Sequence, residues 1–235
     1  MNPQDSQIHC RVSVAGVTRS QNSDGYAAPV RVDRPPPGEE LNTGEVTEAR
    51  EAVSVIVLRE GPDGPEVLLV QRNPTSRFMG GAWVFPGGSA KPEDGGLEAT
   101  GLRELKEEAG LTLEGPDQLV PFSRWITPAE VQIRFDTWFF VARAPNDAEA
   151  ECDGQECVAV SWLRPAEALE AHARDELMLV FPTIKHLEAL AGVDTVEGII
   201  EGAAAGEVVA VQPRVIMRDG AAHVLMPGDP GYNEG

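Results

Sequence analysis

The chain has 235 residues, of which 42% are hydrophobic and 24% charged, so we expect one well-packed core and little room for a second full domain. Nineteen basic residues stand against thirty-eight acidic ones, giving a formal net charge of −19 at pH 7. This balance argues against a nucleic-acid-binding surface, because affinity for phosphates comes mainly from Lys and Arg. A phosphate-bearing substrate would also be repelled unless bound cations reverse the sign of the potential locally.

The cysteines and the apolar segments indicate a cytoplasmic protein. Cys10, Cys152 and Cys157 have no C-x-x-C spacing, so neither a disulfide framework nor a zinc site is expected. The N-terminus shows no signal-peptide pattern, and no apolar stretch approaches the length of a membrane span. We therefore expect cytoplasmic localisation and no membrane partner. The oligomeric state is open, with a homodimer as one candidate.

Residues 1–48 are mostly polar and are predicted to form an N-terminal extension. It contains a proline-rich loop at 33–38 and an alternating run at 8–14 that could add a strand to a sheet edge. A flexible leader and a small ordered arm are both open alternatives for this extension.

Residues 49–192 have the pattern of an α/β domain. Two β-rich runs on either side of a turn at 61–64 predict a hairpin. Strands are predicted at 52–58, 66–72, 119–126, 133–142 and 157–163, and helices at 97–109, 165–173 and 183–191. A strand–loop–helix order flanked by further strands indicates a sheet covered by helices on both faces. Residues 193–235 are predicted to be a C-terminal extension with a helix at 196–205 and a hairpin around Asp219-Gly220.

The predicted helix at 97–109 carries a concentration of carboxylates. At about 100° per residue, Glu104, Glu107 and Glu108 fall within about a third of its circumference. Converging carboxylates repel each other, and Mg²⁺ or Mn²⁺ would relieve that repulsion because these ions favour hard oxygen ligands. Arg103 stands one turn before Glu107 and could hold it by a charge-assisted bond. By itself, E-x-x-E-E is more often a solvated acidic face.

The residues around this helix distinguish a metal site from a solvated acidic face. F-P-G-G at 85–88 and R-E-L-K-E-E-A-G-L at 103–111 resemble the box of the Nudix hydrolase family, G-x5-E-x7-R-E-U-x-E-E-x-G-U, in which U is aliphatic. The resemblance covers roughly residues 50–190. It implies a Nudix-type α/β/α sandwich with a mixed sheet between helices, and hydrolysis of the diphosphate bond in a nucleoside diphosphate linked to another group.

The resemblance also implies roles for individual residues. Glu104, Glu107 and Glu108 would bind Mg²⁺ or Mn²⁺, and the backbone carbonyl of Gly87 would complete the ligand set. The ions would bridge phosphate oxygens and lower the pKa of an attacking water. Arg103 would orient Glu107 without touching the metal.

The chain departs from the box in the loop before the helix. The glutamate expected eight residues before Arg103 is replaced by Gly95, and the loop from Gly88 to Arg103 is one residue longer than the pattern. We expect the nearby Asp94 to cap the helix. The longer loop with an aspartate there is similar to the coenzyme A diphosphatase branch of the family.

A second motif of that branch is partly present. The branch carries L-L-T-x-R-S and then a glycine four residues before the phenylalanine of F-P-G-G. Here 68–73 reads L-L-V-Q-R-N, and Gly81 keeps the glycine spacing. The match weakly favours coenzyme A or acyl-coenzyme A as substrate. ADP-ribose, NADH, nucleotide sugars and dinucleoside polyphosphates are the alternatives.

Further candidates lie outside the box. Glu156 is proposed as general base, with Glu151 as the alternative. Arg72 and Arg77 could bind phosphate, because guanidinium pairs with oxyanions bidentately. Trp125 could stack on a base or on pantetheine, or belong to the core. Two other sets are assigned structural roles: Arg134 as a surface ion-pair partner, and His9, His172, His186 and His223 as residues without metal-ligand spacing.

Two other functional classes share this fold. Non-catalytic nucleotide-sensing relatives typically lack an intact R-E-x-x-E-E motif and carry an additional DNA-binding domain. This chain keeps the motif and shows no basic recognition helix. Isomerases of prenyl diphosphates also use the fold, but no additional Cys/Glu arrangement indicates that chemistry. The sequence therefore predicts a hydrolase acting on a small-molecule nucleotide diphosphate.

Overall fold

A computed structural model describes residues 30–32, 40–42, 44–146, 148–218 and 221–234, and the elements below refer to these ranges. The predicted strand at 8–14 and the turn at Asp219-Gly220 lie outside them. The strands are β1 (Val30–Val32), β2 (Arg50–Gly61), β3 (Gly64–Arg72), β4 (Trp83–Val84), β5 (Gly87–Ser89), β6 (Val120–Ile126), β7 (Phe135–Arg143), β8 (Cys157–Leu163), β9 (Ala210–Val211), β10 (Arg214–Arg218) and β11 (Ala221–Leu225). The helices are α1 (Leu97–Ala109), α2 (Pro165–Ala173), α3 (Phe181–Leu190) and α4 (Val196–Ala205). No helix within the described ranges is long and apolar enough to span a membrane.

The main sheet contains eight strands and is mixed. Its order is β4-β3-β2-β7-β6-β9, with β5 paired to β2 and β8 paired to β3. The β2–β7 and β6–β9 pairs are parallel, and the others are antiparallel. β2 and β3 pair only near their shared turn, between Leu58–Gly61 and Gly64–Val67. Beyond that point β5 takes the place of β3 beside β2, with Ser54 opposite Gly87.

Helices cover both faces of this sheet, because the side chains of β2 point alternately to the two faces and are buried on both. Val53, Val55 and Val57 face the core beneath α1, whereas Ile56 and Leu58 face the core beneath α2, α3 and α4. These side chains are almost completely buried. The predicted α/β/α sandwich with a mixed sheet is confirmed.

The segment from α4 onward is integrated into this architecture. Val196, Ile199 and Ala203 of α4 belong to the core beneath α2, α3 and α4, called the second core below, and β9 extends the main sheet beside β6. β10 and β11 form a hairpin that joins β1 in a separate three-stranded sheet. The division into 1–48, 49–192 and 193–235 stays a prediction, and these contacts cross both of its boundaries.

His186 is buried at the centre of the second core. Its exposed fraction is 3%, and its ring stacks on Phe139 with centroids 4.1 Å apart. Nδ1 lies 2.6 Å from the Pro182 carbonyl oxygen, and Nε2 lies 2.6 Å from Ser123 Oγ. A carbonyl can only accept, so Nδ1 carries the hydrogen and Nε2 accepts from the Ser123 hydroxyl. Burial lowers the pKa of His186 to about 4. Its predicted structural role agrees with this environment.

We expect His186 to make the fold sensitive to acid. Its folded pKa lies below the ordinary 6.5, so the stability supplied by the neutral ring is complete above pH 6.5 and is lost as the pH falls towards 4, by roughly 3 kcal/mol at most. In urea unfolding between pH 7.5 and 4.5, His186→Asn should flatten the fall in the free energy of unfolding. Phe122→Leu, which alters a ring-contacting side chain without a titrating group, should keep the original slope. Equal slopes for His186→Asn and wild type would contradict the assignment.

Candidate active site

Helix α1 is bounded by glycines and packs against the sheet through a third glycine. Gly95 and Gly96 precede it with φ of 80° and 158°, and Gly110 ends it in the left-handed conformation with φ of 67°. A Cβ on Gly101 would lie 3.1 Å from methyl carbons of both Val53 and Val55. The absent side chain therefore allows α1 to pack directly on β2. The predicted helix bounds, 97–109, agree with the structure.

The face of α1 that turns towards β5 carries two buried carboxylates, one turn apart. Glu104 and Glu108 are only 6% and 2% exposed. Glu108 Oε2 accepts a hydrogen bond of 2.9 Å from the Gly87 N–H. A Cβ on Gly88 would lie 2.6 Å from the Glu104 carboxyl carbon, so the space of a missing side chain holds this carboxylate. The F-P-G-G turn and the helix thus form one unit.

The backbone N–H of Gly87 points at the Glu108 carboxylate. The Val55 N–H donates to the Pro86 carbonyl at 2.8 Å, which makes Ser54–Gly87 a non-hydrogen-bonded pair of the antiparallel ladder. The N–H and carbonyl of Gly87 therefore face away from β2, on the side where Glu108 accepts. The predicted carbonyl ligand belongs to the same residue whose N–H binds Glu108.

Burial dominates the electrostatics of both carboxylates. It raises the pKa of Glu104, against the opposing effect of Arg103, and it raises the pKa of Glu108 to about 7. Three groups partly oppose this rise in the Glu108 pKa: the Gly87 N–H, the charge of Arg72 and the Cys157 thiol. Burial also raises the pKa of the Cys157 thiol. Two buried carboxylates are costly without a compensating cation. Hard oxygens in such a place suit Mg²⁺ or Mn²⁺.

Arg103 is the centre of an ion-pair network at the edge of the site. Its Nε and Nη2 donate to the two carboxylate oxygens of Asp94 at 2.7 and 2.8 Å. Its Nη1 donates to Glu104 at 2.5 Å and to Glu107 at 3.0 Å, and Nη2 also reaches the Ser89 carbonyl at 3.1 Å. The contact with Glu107 agrees with the i,i+4 spacing in the sequence. The guanidinium holds the pKa of the Asp94 carboxyl well below its usual range.

Glu107 stands apart from the other two glutamates. Its side chain is 54% exposed and contacts Arg103 and, at 3.9 Å, the Lys91 ammonium. In the part of the chain that the structure describes, no three His, Cys, Asp or Glu side chains are grouped so as to hold one metal ion. The expected convergence of three carboxylates is therefore incomplete. Helical spacing places them on one face, but Arg103 holds Glu107 at its outer edge.

The other candidates lie at different distances from this unit. Arg72 ends β3 close enough to affect the Glu108 pKa, and its Nε donates to the Phe78 carbonyl at 3.2 Å. Arg77 is exposed on the loop after β3. Glu156 is exposed one residue before Cys157, which contacts Glu108. Arg72 therefore adjoins Glu108, and Glu156 is next in the chain to Cys157, which also does.

Trp125 and Arg134 belong to other parts of the structure. Trp125 packs in the second core, with its ring 5.6 Å from His186 and 6.1 Å from Phe181 between centroids, which supports the core alternative. Arg134 is buried and donates to the carbonyls of Thr127 and Thr47. The predicted surface ion pair for Arg134 is wrong, because its partners are backbone groups that sequence spacing does not reveal.

Asp94 is the residue whose role sequence reasoning missed. The N-cap of α1 is Gly96 and has no side-chain cap, so the predicted helix cap at Asp94 is wrong. The carboxylate instead accepts from the Lys91 N–H and the Thr100 hydroxyl, both at 2.9 Å, and pairs with Arg103. One signal was present in the sequence. Counting forward six residues from Gly88, rather than back from Arg103, places the acid of the box at Asp94.

Comparisons with known proteins and solved structures identify relatives of this chain. Residues 48–180 match the family model described as the NUDIX domain. NudL of Klebsiella pneumoniae, named an uncharacterized Nudix hydrolase, is 29% identical over 151 residues, which cover 64% of this chain and 73% of that protein. The crystal structure of a NUDIX hydrolase from Alicyclobacillus acidocaldarius has a TM-score of 0.63 and 27% identity, covering 68% of this chain and 99% of that one. The NUDIX domain of Shewanella oneidensis NrtR, solved with ADP ribose, is similar in fold, with a TM-score of 0.51 and 20% identity over 61% of this chain and 86% of that one.

Proposed function

Because the chain belongs to the Nudix hydrolase family, we propose that it is a divalent-metal-dependent diphosphatase of coenzyme A or acyl-coenzyme A. Its membership makes it a hydrolase of nucleoside diphosphate derivatives. The metal dependence, the residue roles and the choice of substrate are the proposed parts. The observation that carries the proposal is the pair of buried carboxylates, Glu104 and Glu108, facing the glycine strand β5.

Glu104, Glu107, Glu108 and the Gly87 carbonyl would hold Mg²⁺ or Mn²⁺. Such an ion neutralises charge on phosphate oxygens and lowers the pKa of a bound water. The chain contributes by fixing its donors before substrate arrives. The Gly87 N–H holds the Glu108 carboxylate at 2.9 Å, and Arg103 holds Glu104 and Glu107 through a single nitrogen. Carboxylates held in this way need no reorganisation during the reaction.

The remaining roles rest on position beside this unit. Arg72 is proposed to contact phosphate, since it already lies close enough to lower the Glu108 pKa. Arg77 is exposed nearby on the loop that Arg72 fixes through the Phe78 carbonyl. Glu156 is proposed as general base because its exposed side chain is free to approach a water while its backbone is tied, its carbonyl accepting from the Asn73 N–H at 2.8 Å. A stacking role of Trp125 would use the exposed part of its ring, which is half-buried against the second core.

The preference for coenzyme A rests on the spacing of Leu68, Leu69, Arg72 and Gly81. Arg72 and Gly81 are hydrogen-bonded to each other between β3 and β4, since the Gly81 N–H donates to the Arg72 carbonyl at 3.1 Å. Gly81 has φ of 81°, a conformation that favours glycine. The glycine spacing therefore has a structural reason at the place where Arg72 approaches the carboxylates. This supports the branch motif as a site element.

A substrate screen tests the proposal directly. Coenzyme A, acyl-coenzyme A, ADP-ribose, NADH, nucleotide sugars and dinucleoside polyphosphates would be compared by product release with Mg²⁺ or Mn²⁺. We expect coenzyme A or an acyl derivative to exceed the others in kcat/KM by about tenfold or more, and EDTA to abolish turnover. Faster cleavage of nucleotide sugars than of coenzyme A would refute only the substrate. If every diphosphate is inert with metal present, the proposed activity itself is wrong.

A further inference from the structure

Asn73 connects two loops that are 82 positions apart in the chain. It is the first residue after β3 and is partly buried. Its Nδ2 donates to the Gln155 carbonyl oxygen and its backbone N–H donates to the Glu156 carbonyl oxygen, both at 2.8 Å. None of the roles proposed above belongs to Asn73. Its two bonds hold the facing backbone at two adjacent peptide groups.

The same side chain also fixes the loop that follows β3. Its Oδ1 accepts from the Thr75 N–H at 3.0 Å and from the Thr75 hydroxyl at 2.8 Å, which is an Asx turn. The Asn73 carbonyl accepts from the Ser76 N–H at 2.8 Å, and Arg77 follows directly. The amide therefore uses its oxygen within its own loop and its nitrogen on Gln155. Aspartate has only acceptors and serine has a shorter side chain, so neither replaces both functions.

The loop that receives these bonds is held from its other side by Asp153. This carboxylate accepts from the three backbone N–H groups of residues 155–157, at 2.9 to 3.1 Å. Asp153 thus binds the N–H groups while Asn73 binds two of the carbonyls. The backbone at Glu156 is held on both sides, whereas the Glu156 side chain is exposed.

The β3–β8 ladder is irregular where it approaches this loop. Gln71 lies opposite Ala159, but Arg72 lies opposite Cys157, so the register shifts by one residue between them. A bulge of this kind bends the strand that carries it. The position of the residues before β8 therefore depends on contacts beyond the shift, and the two bonds from Asn73 lie there.

We propose that Asn73 is a positioning residue of the active site: it fixes the 153–157 loop against the loop after β3 and so holds the Glu156 carboxylate in a constant place beside Arg72 and Glu108. This role rests on the proposed function, in which Glu156 is the general base. A general base must stay within hydrogen-bond distance of the water that it deprotonates. An exposed acid on a loop meets this requirement only if the backbone that carries it is held in place.

The proposed contact can be tested without substrate or metal. Asn73→Asp keeps the shape and the acceptor bonds of the turn but loses the donor, and in Asn73→Ser the side chain is too short to reach the Gln155 carbonyl. In both variants we expect the backbone amides of 155–157 to exchange with solvent about 3- to 10-fold faster than in wild type. Asn42→Ser is the matched control, because Asn42 Nδ2 donates to the Ala129 carbonyl at 3.1 Å across a similar sequence distance. It should leave the exchange of 155–157 unchanged, and unchanged exchange in both Asn73 variants would overturn the proposal.

Steady-state kinetics test whether the held loop places a base. Asn73→Ser should lower kcat about tenfold with little change in KM, and Asn42→Ser should match wild type. Glu156→Gln should lower kcat about 100-fold or more. Adding Asn73→Ser to Glu156→Gln should then change kcat by less than about twofold, because the group whose position it sets is gone. If Asn73→Ser lowers kcat by the same factor in both backgrounds, Asn73 does not act through Glu156 and the proposal is wrong.

The two measurements separate this role from the proposed function. If every diphosphate is inert, the proposed function is wrong, and the amide exchange of 155–157 still decides whether Asn73 holds the loop. If Glu156→Gln keeps wild-type kcat in an active enzyme, the positioning role is overturned while metal-dependent hydrolysis stands. Melting temperatures of all variants should lie within a few degrees of wild type, which shows that losses of kcat are not caused by unfolding.

Discussion

Glu108→Gln is expected to lower kcat on the best diphosphate substrate by about a thousandfold while leaving the fold intact. Glutamine keeps an oxygen that can accept from the Gly87 N–H, so the link between β5 and α1 survives. It removes the negative charge that a divalent cation needs. Steady-state kinetics across metal concentrations would measure the loss, and it should not be recovered by excess Mg²⁺ or Mn²⁺.

The stability of Glu108→Gln separates a chemical loss from a structural one. Burial raises the pKa of Glu108 to about 7, so the stability linked to its neutral form is present at low pH and is lost as the pH rises through 7. In metal-free buffer at pH 8, the variant should therefore be at least as stable as wild type. Glu98→Gln, the same change at an exposed position on α1, should retain activity. A folded Glu108→Gln protein with near wild-type kcat would remove Glu108 from the metal site.

Gly87→Ala is expected to cost about 3 kcal/mol or more of unfolding free energy. A Cβ at this position would overlap the Val53 carbonyl oxygen and lie 2.7 Å from Ser54 Cα. Both are backbone atoms of β2 and cannot move without separating β5 from the sheet. Denaturant unfolding should show a lower midpoint with an unchanged slope.

The neighbouring change Gly88→Ala should behave in the opposite way. Its Cβ would collide with the Glu104 carboxylate, which is the far end of a flexible side chain. Glu104 can turn away, so the unfolding midpoint should stay close to wild type while kcat falls sharply. Equal midpoints for Gly87→Ala and Gly88→Ala would contradict the assignment of one glycine to the sheet and the other to the carboxylate.

The elements set by local chemistry could be predicted from the sequence. The bounds of α1 follow from glycines at each end, and the boundary between β8 and α2 follows from Pro165, the first residue of α2. β5 could not be predicted, because Gly87-Gly88-Ser89 has the composition of a turn and becomes a strand only by pairing with β2. The box residues gave the reaction class through the family resemblance.

The arrangement of side chains within the site was less predictable. Helical spacing places Glu104, Glu107 and Glu108 on one face, but it does not distinguish the two buried carboxylates from the exposed one. That difference depends on β5 and on Arg103, which are brought to the helix by tertiary structure. The partners of Arg134 are carbonyls as far as 87 positions away. Such contacts leave no periodic signal in a single sequence.

The position of α4 and β9 has a consequence for how the protein is made. Strand β6 gains its parallel neighbour only at Ala210–Val211, and the second core closes only with Val196, Ile199 and Ala203. The sheet is therefore complete only after residues 210 and 211 have left the ribosome. Until then the β6 edge and an open apolar layer are available to chaperones or to other nascent chains. We expect a chain truncated near residue 192 to be aggregation-prone, because it lacks both α4 and β9.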